Sequence, residues 1–82
     1  MSSSTFHITI ASVGETHYNG EAHSGTFPGL GGVFTILPHH EAYISTLTQG
    51  TILLNAAGNE KREYHVTSGV VECADNKVVV LL

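Results

Sequence analysis

The chain has 82 residues, of which only three are Lys or Arg against seven Asp or Glu, with a single cysteine and no tryptophan. That length holds one domain with a small core. The cation count excludes an electrostatic nucleic-acid or anionic-lipid surface, and one cysteine excludes an intrachain disulfide.

The opening Met1 to Thr5 is serine-rich, lacks a basic residue and an apolar run, and does not read as a signal peptide. It is expected to be a flexible lead-in to one domain spanning 1–82. Phe6, Ile8 and Ile10 alternate with His7, Thr9 and Ala11, the period-two pattern of a half-buried strand. Thr16 to Tyr18 is a short extended piece, Asn19-Gly20 a hairpin signal, and Glu21 to Phe27 a further strand. Pro28-Gly29-Leu30-Gly31-Gly32 reads as a glycine-rich loop before the apolar strand Val33 to Leu37, which Pro38 stops. Tyr43 to Leu47 and Thr51 to Asn55 follow, parted by Gln49-Gly50. Gly58-Asn59, Ser68-Gly69 and Asp75-Asn76 separate Glu63 to Thr67, Val70 to Ala74 and Lys77 to Leu82. Short strands at this spacing, with no helical period anywhere, predict an all-β fold: a flattened antiparallel β-sandwich of about eight to ten strands. Phe6, Ile8, Ile10, Ile36, Leu37, Ile52, Leu54, Val66, Val70, Val78 and Val80 are the expected core. Cys73, inside an apolar run, is expected to be a buried, inert thiol. The longest apolar stretch, Val78 to Leu82, is far short of a membrane span, so no direct membrane insertion is expected.

Candidate chemistry is sparse. The six histidines are His7, His17, His23, His39, His40 and His65. The adjacent pair His39-His40 would point to opposite faces of a strand, and the others sit on separate segments, so no metal is expected. No Gly-x-Ser-x-Gly elbow supports a hydrolase. The glycine loop runs into a strand, with neither the Gly-Lys-Ser/Thr of a phosphate cradle nor a following helix, so no nucleotide and no cofactor are expected. Two other readings share the strand pattern. One is a free-standing module that binds sugars or peptides, which would want exposed aromatics for stacking. The other is a cupin-like metal domain, which would want a His-x-His with a downstream Glu.

The stretch from Phe27 to Ile52 resembles the signature of the epsilon subunit of rotary F-type ATP synthases, through Pro28, Gly29, Gly32, Ile36, Leu37, Pro38, His40, Leu47, Gly50 and Ile52. The tail Val66 to Leu81, the opening Phe6 to Ile10 and Asn19-Gly20-Glu21 are similar to the same family. The resemblance implies a non-catalytic central-stalk part that couples the membrane c-ring to the gamma subunit during ion-driven ATP synthesis. It would be a peripheral subunit at the cytoplasmic face of a bacterial-type membrane. It also implies ring-facing loops at Gly29, Leu30, Gly31, Gly32 and Val33 and at Pro38, His39, His40 and Glu41, set side by side. Ser12 is the gamma-facing candidate. Val33 stands where the family carries an acid, Thr35 and Gln49 also depart from its pattern, and His39-His40-Glu41 replaces its Gly-His-Ala. Family members usually continue with a helical hairpin past the position of Leu82. The expectation is therefore either a naturally short subunit or one domain of a longer chain.

Overall fold

The computed structural model describes residues 4–82. Eight strands form, β1 (Phe6–Ser12), β2 (Glu15–Gly29), β3 (Gly32–Ile36), β4 (Tyr43–Leu47), β5 (Gly50–Ala56), β6 (Glu60–Val66), β7 (Gly69–Ala74) and β8 (Lys77–Leu81). They pack as a sandwich. One layer runs from the first half of β2 through β1, β8 and β7 to β4, and the other from β3 through the second half of β2 and β5 to β6. The long β2 belongs to both layers. All pairings are antiparallel except β1 with β8, which are parallel from His7 with Lys77 to Ala11 with Leu81. The expected sandwich is thus present, with one parallel pair that local pattern does not announce. Hairpin signals report neighbours in sequence, and β1 and β8 are the first and last strands.

Two turn expectations are corrected. Asn19-Gly20 is not a hairpin: both residues lie within β2, opposite Thr9 and Ile8. The reversal comes earlier, at Val13-Gly14, where Gly14 takes a φ of 77°. Pro28 and Gly29 likewise belong to β2, and the expected five-residue loop shrinks to a tight turn at Leu30-Gly31 between paired Gly29 and Gly32. Gly58-Asn59 and Asp75-Asn76 do turn the chain, and all four residues adopt positive φ.

Between the layers lies one apolar core, which includes Phe6, Ile8, Ile10, Phe27, Ile36, Leu47, Ile52, Leu54, Val66, Val71, Val78 and Val80. Cys73 is buried among them, and burial pushes its thiol pKa up. Leu37 and Val70 leave the expected core, 55% and 41% exposed. Leu37 lies one residue past the end of β3. On β7 the inward parity falls on Val71 and Cys73, one step from where Val70 would set it.

Candidate interaction surface

The glycine tip is built by close approach. A Cβ on Gly29 would stand 2.7 Å from the Gly32 carbonyl oxygen and 2.8 Å from the Phe34 ring, so only glycine closes this hairpin. Gly32 follows at a φ of 134°, a backbone setting that side chains rarely accept. Leu30 and Val33 project from the tip, 71% and 74% exposed. The tip is pinned to the C-terminal end of β4: Leu30 N–H donates to the Thr46 carbonyl at 2.9 Å, and Thr48 N–H to the Pro28 carbonyl at 2.8 Å.

The histidine segment is built differently. His39 sits at a φ of 64°, and His40 N–H closes a turn on the Leu37 carbonyl at 3.2 Å. The His39 N–H donates to Asn76 Oδ1 at 2.7 Å. His40 Nδ1 lies 2.7 Å from the Glu41 carbonyl oxygen, which can only accept, so Nδ1 carries a proton there. The His40 ring meets Tyr43 edge-on, Tyr43 meets Phe34, and Phe34 stacks on Phe27, centroids 5.9, 5.1 and 5.4 Å apart. This aromatic file closes the sandwich where β3 and β4 face each other.

The two segments are not side by side. β3 keeps straight register with β2 over all five of its residues, so it carries the tip at one end and the histidine segment beyond the other. Along β4, the tip bonds near Leu47 while the histidine segment leads into Tyr43, a separation of about 13 Å at ~3.3 Å per residue. Adjacency would need β3 to fold back on itself, and its ladder with β2 runs without a register shift. Ser12, at the end of β1, lies at the same end of the strands as the tip: Ala11, Leu81, Val70 and Thr46 form one row across the sheet. Its hydroxyl is 2.9 Å from His17 Nε2.

A surface absent from the expectations is the outer face of the β1-β8-β7-β4 layer. The register aligns Ile44, Glu72, Val79 and Thr9 in one row and Thr46, Val70, Leu81 and Ala11 in the next. Ile44, Val70, Val79 and Leu81 are all exposed, and Glu72 is the one charged residue in the two rows. The sequence did hold a signal, since Val70-Val71 and Val78 to Leu82 are continuous apolar runs rather than alternating ones, a sign that both faces of a strand are apolar. Beside it, His7 bridges Glu21 and Asn19. Its Nδ1 is 3.2 Å from Glu21 Oε2 and its Nε2 2.7 Å from Asn19 Oδ1. Thr5 Oγ1 donates to Glu21 Oε1 at 2.7 Å. Hydrogen bonds from Thr5 and then His7 hold the Glu21 carboxyl below its usual pKa.

Among the described residues no three His, Cys, Asp or Glu side chains gather where they could hold a metal. Among the described residues no helix is long and apolar enough to cross a membrane.

Comparison with known proteins accords with this architecture. Residues 5–82 match the family described as "ATP synthase, Delta/Epsilon chain, beta-sandwich domain". The chain is 33% identical over 78 residues to the ATP synthase epsilon chain of Thioalkalivibrio sulfidiphilus, covering 94% of this chain and 55% of that one. It is 26% identical over 80 residues to the epsilon chain of Chlorobaculum tepidum, covering 98% of this chain and 91% of that one. It thus spans little more than half the length of relatives such as the first, and most of the length of the second. A chain in the solved Euglena gracilis mitochondrial ATP synthase OSCP/F1/c-ring assembly has the same fold. Its TM-score is 0.88 at 19% identity, over 95% of this chain and 50% of that one. With a family match that runs from the residue before β1 to the end of β8, the chain belongs to the ATP synthase delta/epsilon chain β-sandwich domain family.

Proposed function

We propose that the chain is a non-catalytic central-stalk component of a rotary ATP synthase, coupling the ion-driven c-ring to the gamma subunit. The observation that carries this reading is the family match over residues 5–82. The protein would be peripheral, held at the cytoplasmic face of its membrane by its partners. The coupled ion would be a proton or sodium.

The surfaces divide the labour. The β2–β3 tip, with Gly29, Leu30, Gly31, Gly32 and Val33, is the ring-facing end in this reading. With Val33 in place of an acid, its contact is one of shape and aliphatic surface. An exposed ion pair there would contribute only about 0–1 kcal/mol, so the loss is tolerable. The apolar outer face around Ile44, Val70, Val79 and Leu81 is assigned to the gamma subunit, since aliphatic surface with a single charge suits a persistent protein contact. Pro38, His39, His40 and Glu41, at the far end of β3, then meet a different surface from the tip. Ser12 lies beside the gamma-facing rows.

Disulfide trapping in the assembled complex tests the assignment, in a Cys73→Ser background. Gly31→Cys should crosslink to cysteines placed in the polar loop of the ring. Ile44→Cys should crosslink to gamma. Trapping of Gly31→Cys by gamma alone, or of neither variant by either partner, would overturn it.

A further inference from the structure

We infer that Asn76 is a positioning residue for the His39–Glu41 segment, setting its shape from outside it. This rests on the reading above that the segment is a contact surface. Asp75 and Asn76 are the two central residues of the β7–β8 hairpin, at φ values of 51° and 61°. Such a turn requires positive φ at both positions and favours glycine at the second. Asn accepts that conformation, and it brings a side chain that glycine lacks.

Here the side chain has two partners of opposite kind. Its Oδ1 accepts the His39 N–H at 2.7 Å, and its Nδ2 donates to the Thr5 carbonyl at 2.9 Å. Only one orientation of the amide satisfies an N–H and a carbonyl together, so the network fixes which atom faces which. The Asn76 carbonyl in turn accepts the His7 N–H at 3.2 Å. One residue therefore ties together the β7–β8 turn, the entry to β1 and the histidine segment.

The bond to Asn76 falls where the segment's backbone is most strained. His39 adopts a left-handed backbone, which costs a side-chain-bearing residue on the order of 1 kcal/mol, and the bond to Asn76 falls on that residue's own N–H. The neighbouring contacts all fall on His40: its N–H on the Leu37 carbonyl at 3.2 Å, its ring against Tyr43, and its carbonyl 3.9 Å from the Cys73 thiol, a weak donor. Without the amide, the segment would lose the contact that offsets the strain at His39, and His40 and Glu41 would no longer be presented in one arrangement.

Two variants separate this role from turn formation. Asn76→Gly keeps the positive φ and deletes both side-chain bonds. Asn76→Asp keeps an acceptor for His39 and loses the donor to Thr5. Amide exchange followed by two-dimensional NMR on the 82-residue chain is the first readout. In Asn76→Gly the His39 amide should exchange several-fold to about tenfold faster than in the parent, and Asn76→Asp should restore its protection. Unchanged His39 exchange in Asn76→Gly, or no rescue by Asn76→Asp, would overturn the inference. The second readout is trapping from His40→Cys, with Cys73→Ser, in the assembled complex. Asn76→Gly should lower its yield several-fold and leave trapping from Gly31→Cys unchanged, whereas an equal yield would overturn the inference. If His40→Cys is trapped by no partner even with Asn76 intact, the contact reading of the segment fails, and the exchange result alone judges Asn76.

Discussion

Ile36 and Leu37 are neighbours of similar size and opposite fate, the first fully buried and the second 55% exposed. Ile36→Ala should cost about 2–5 kcal/mol and Leu37→Ala within about 0.5 kcal/mol. Chemical denaturation of the two variants checks this, and equal losses would contradict the register of β3. Sequence patterning placed nine of the eleven expected core residues correctly, because a strand with one wet face writes its burial in alternation. It failed at Leu37 and Val70, where two apolar residues stand together and alternation has no phase. Glu21 carries a second residue-scale prediction. Its folded pKa lies below the ordinary carboxylate value of about 4.3. Its contribution is therefore fully present above that value and is lost as pH falls through the lowered one. Melting temperatures of the parent and Glu21→Gln should differ near pH 6 and converge in stronger acid. A gap that holds constant down to pH 2.5 would mean the carboxylate is not favoured by Thr5 and His7.

At the scale of elements, hairpin chemistry was legible at Gly58-Asn59 and Asp75-Asn76 but not at Val13-Gly14, although each turn uses positive φ. Asn19-Gly20 misled because the same dipeptide can sit in a ladder when its side chain has work there. Asn19 Oδ1 accepts from Thr9 at 3.1 Å and bonds His7 across the strand pair. The segments Gly29 to Val33 and Pro38 to Glu41 could be named from sequence but not placed relative to each other, since sequence spacing cannot say whether the strand between them folds back. The β2–β3 tip makes a sharp test of its own geometry. Gly29→Ala drives a methyl against the Gly32 carbonyl, backbone that cannot step aside, and should cost about 1–3 kcal/mol. Gly31→Ala meets nothing within 4 Å and should be nearly silent. Urea midpoints of the two variants that fall together would refute the tight turn.

For the molecule as a whole, the three cations Lys61, Arg62 and Lys77 lie on β6 and β8, away from the glycine tip. Nothing in that arrangement cradles a triphosphate. Calorimetric titration of the chain with MgATP should give no binding isotherm, and a clear one would contradict the reading of the tip as a structural turn. The double membership of β2 has a mechanical consequence. Its early residues are laddered to β1 in one layer, and its later ones to β3 and β5 in the other. Sliding one layer over the other would therefore have to break ladder bonds or bend a continuous backbone, not merely shear side-chain packing. A load applied at the Leu30 tip enters β2 directly and is carried along covalent bonds into the opposite layer. Such a tie leaves no soft plane between the layers. Past the irregularity between Ala22 and Ser24, the laddered amides of Gly25 and Thr26 should exchange only through complete unfolding, so that their protection equals the global stability measured by denaturation.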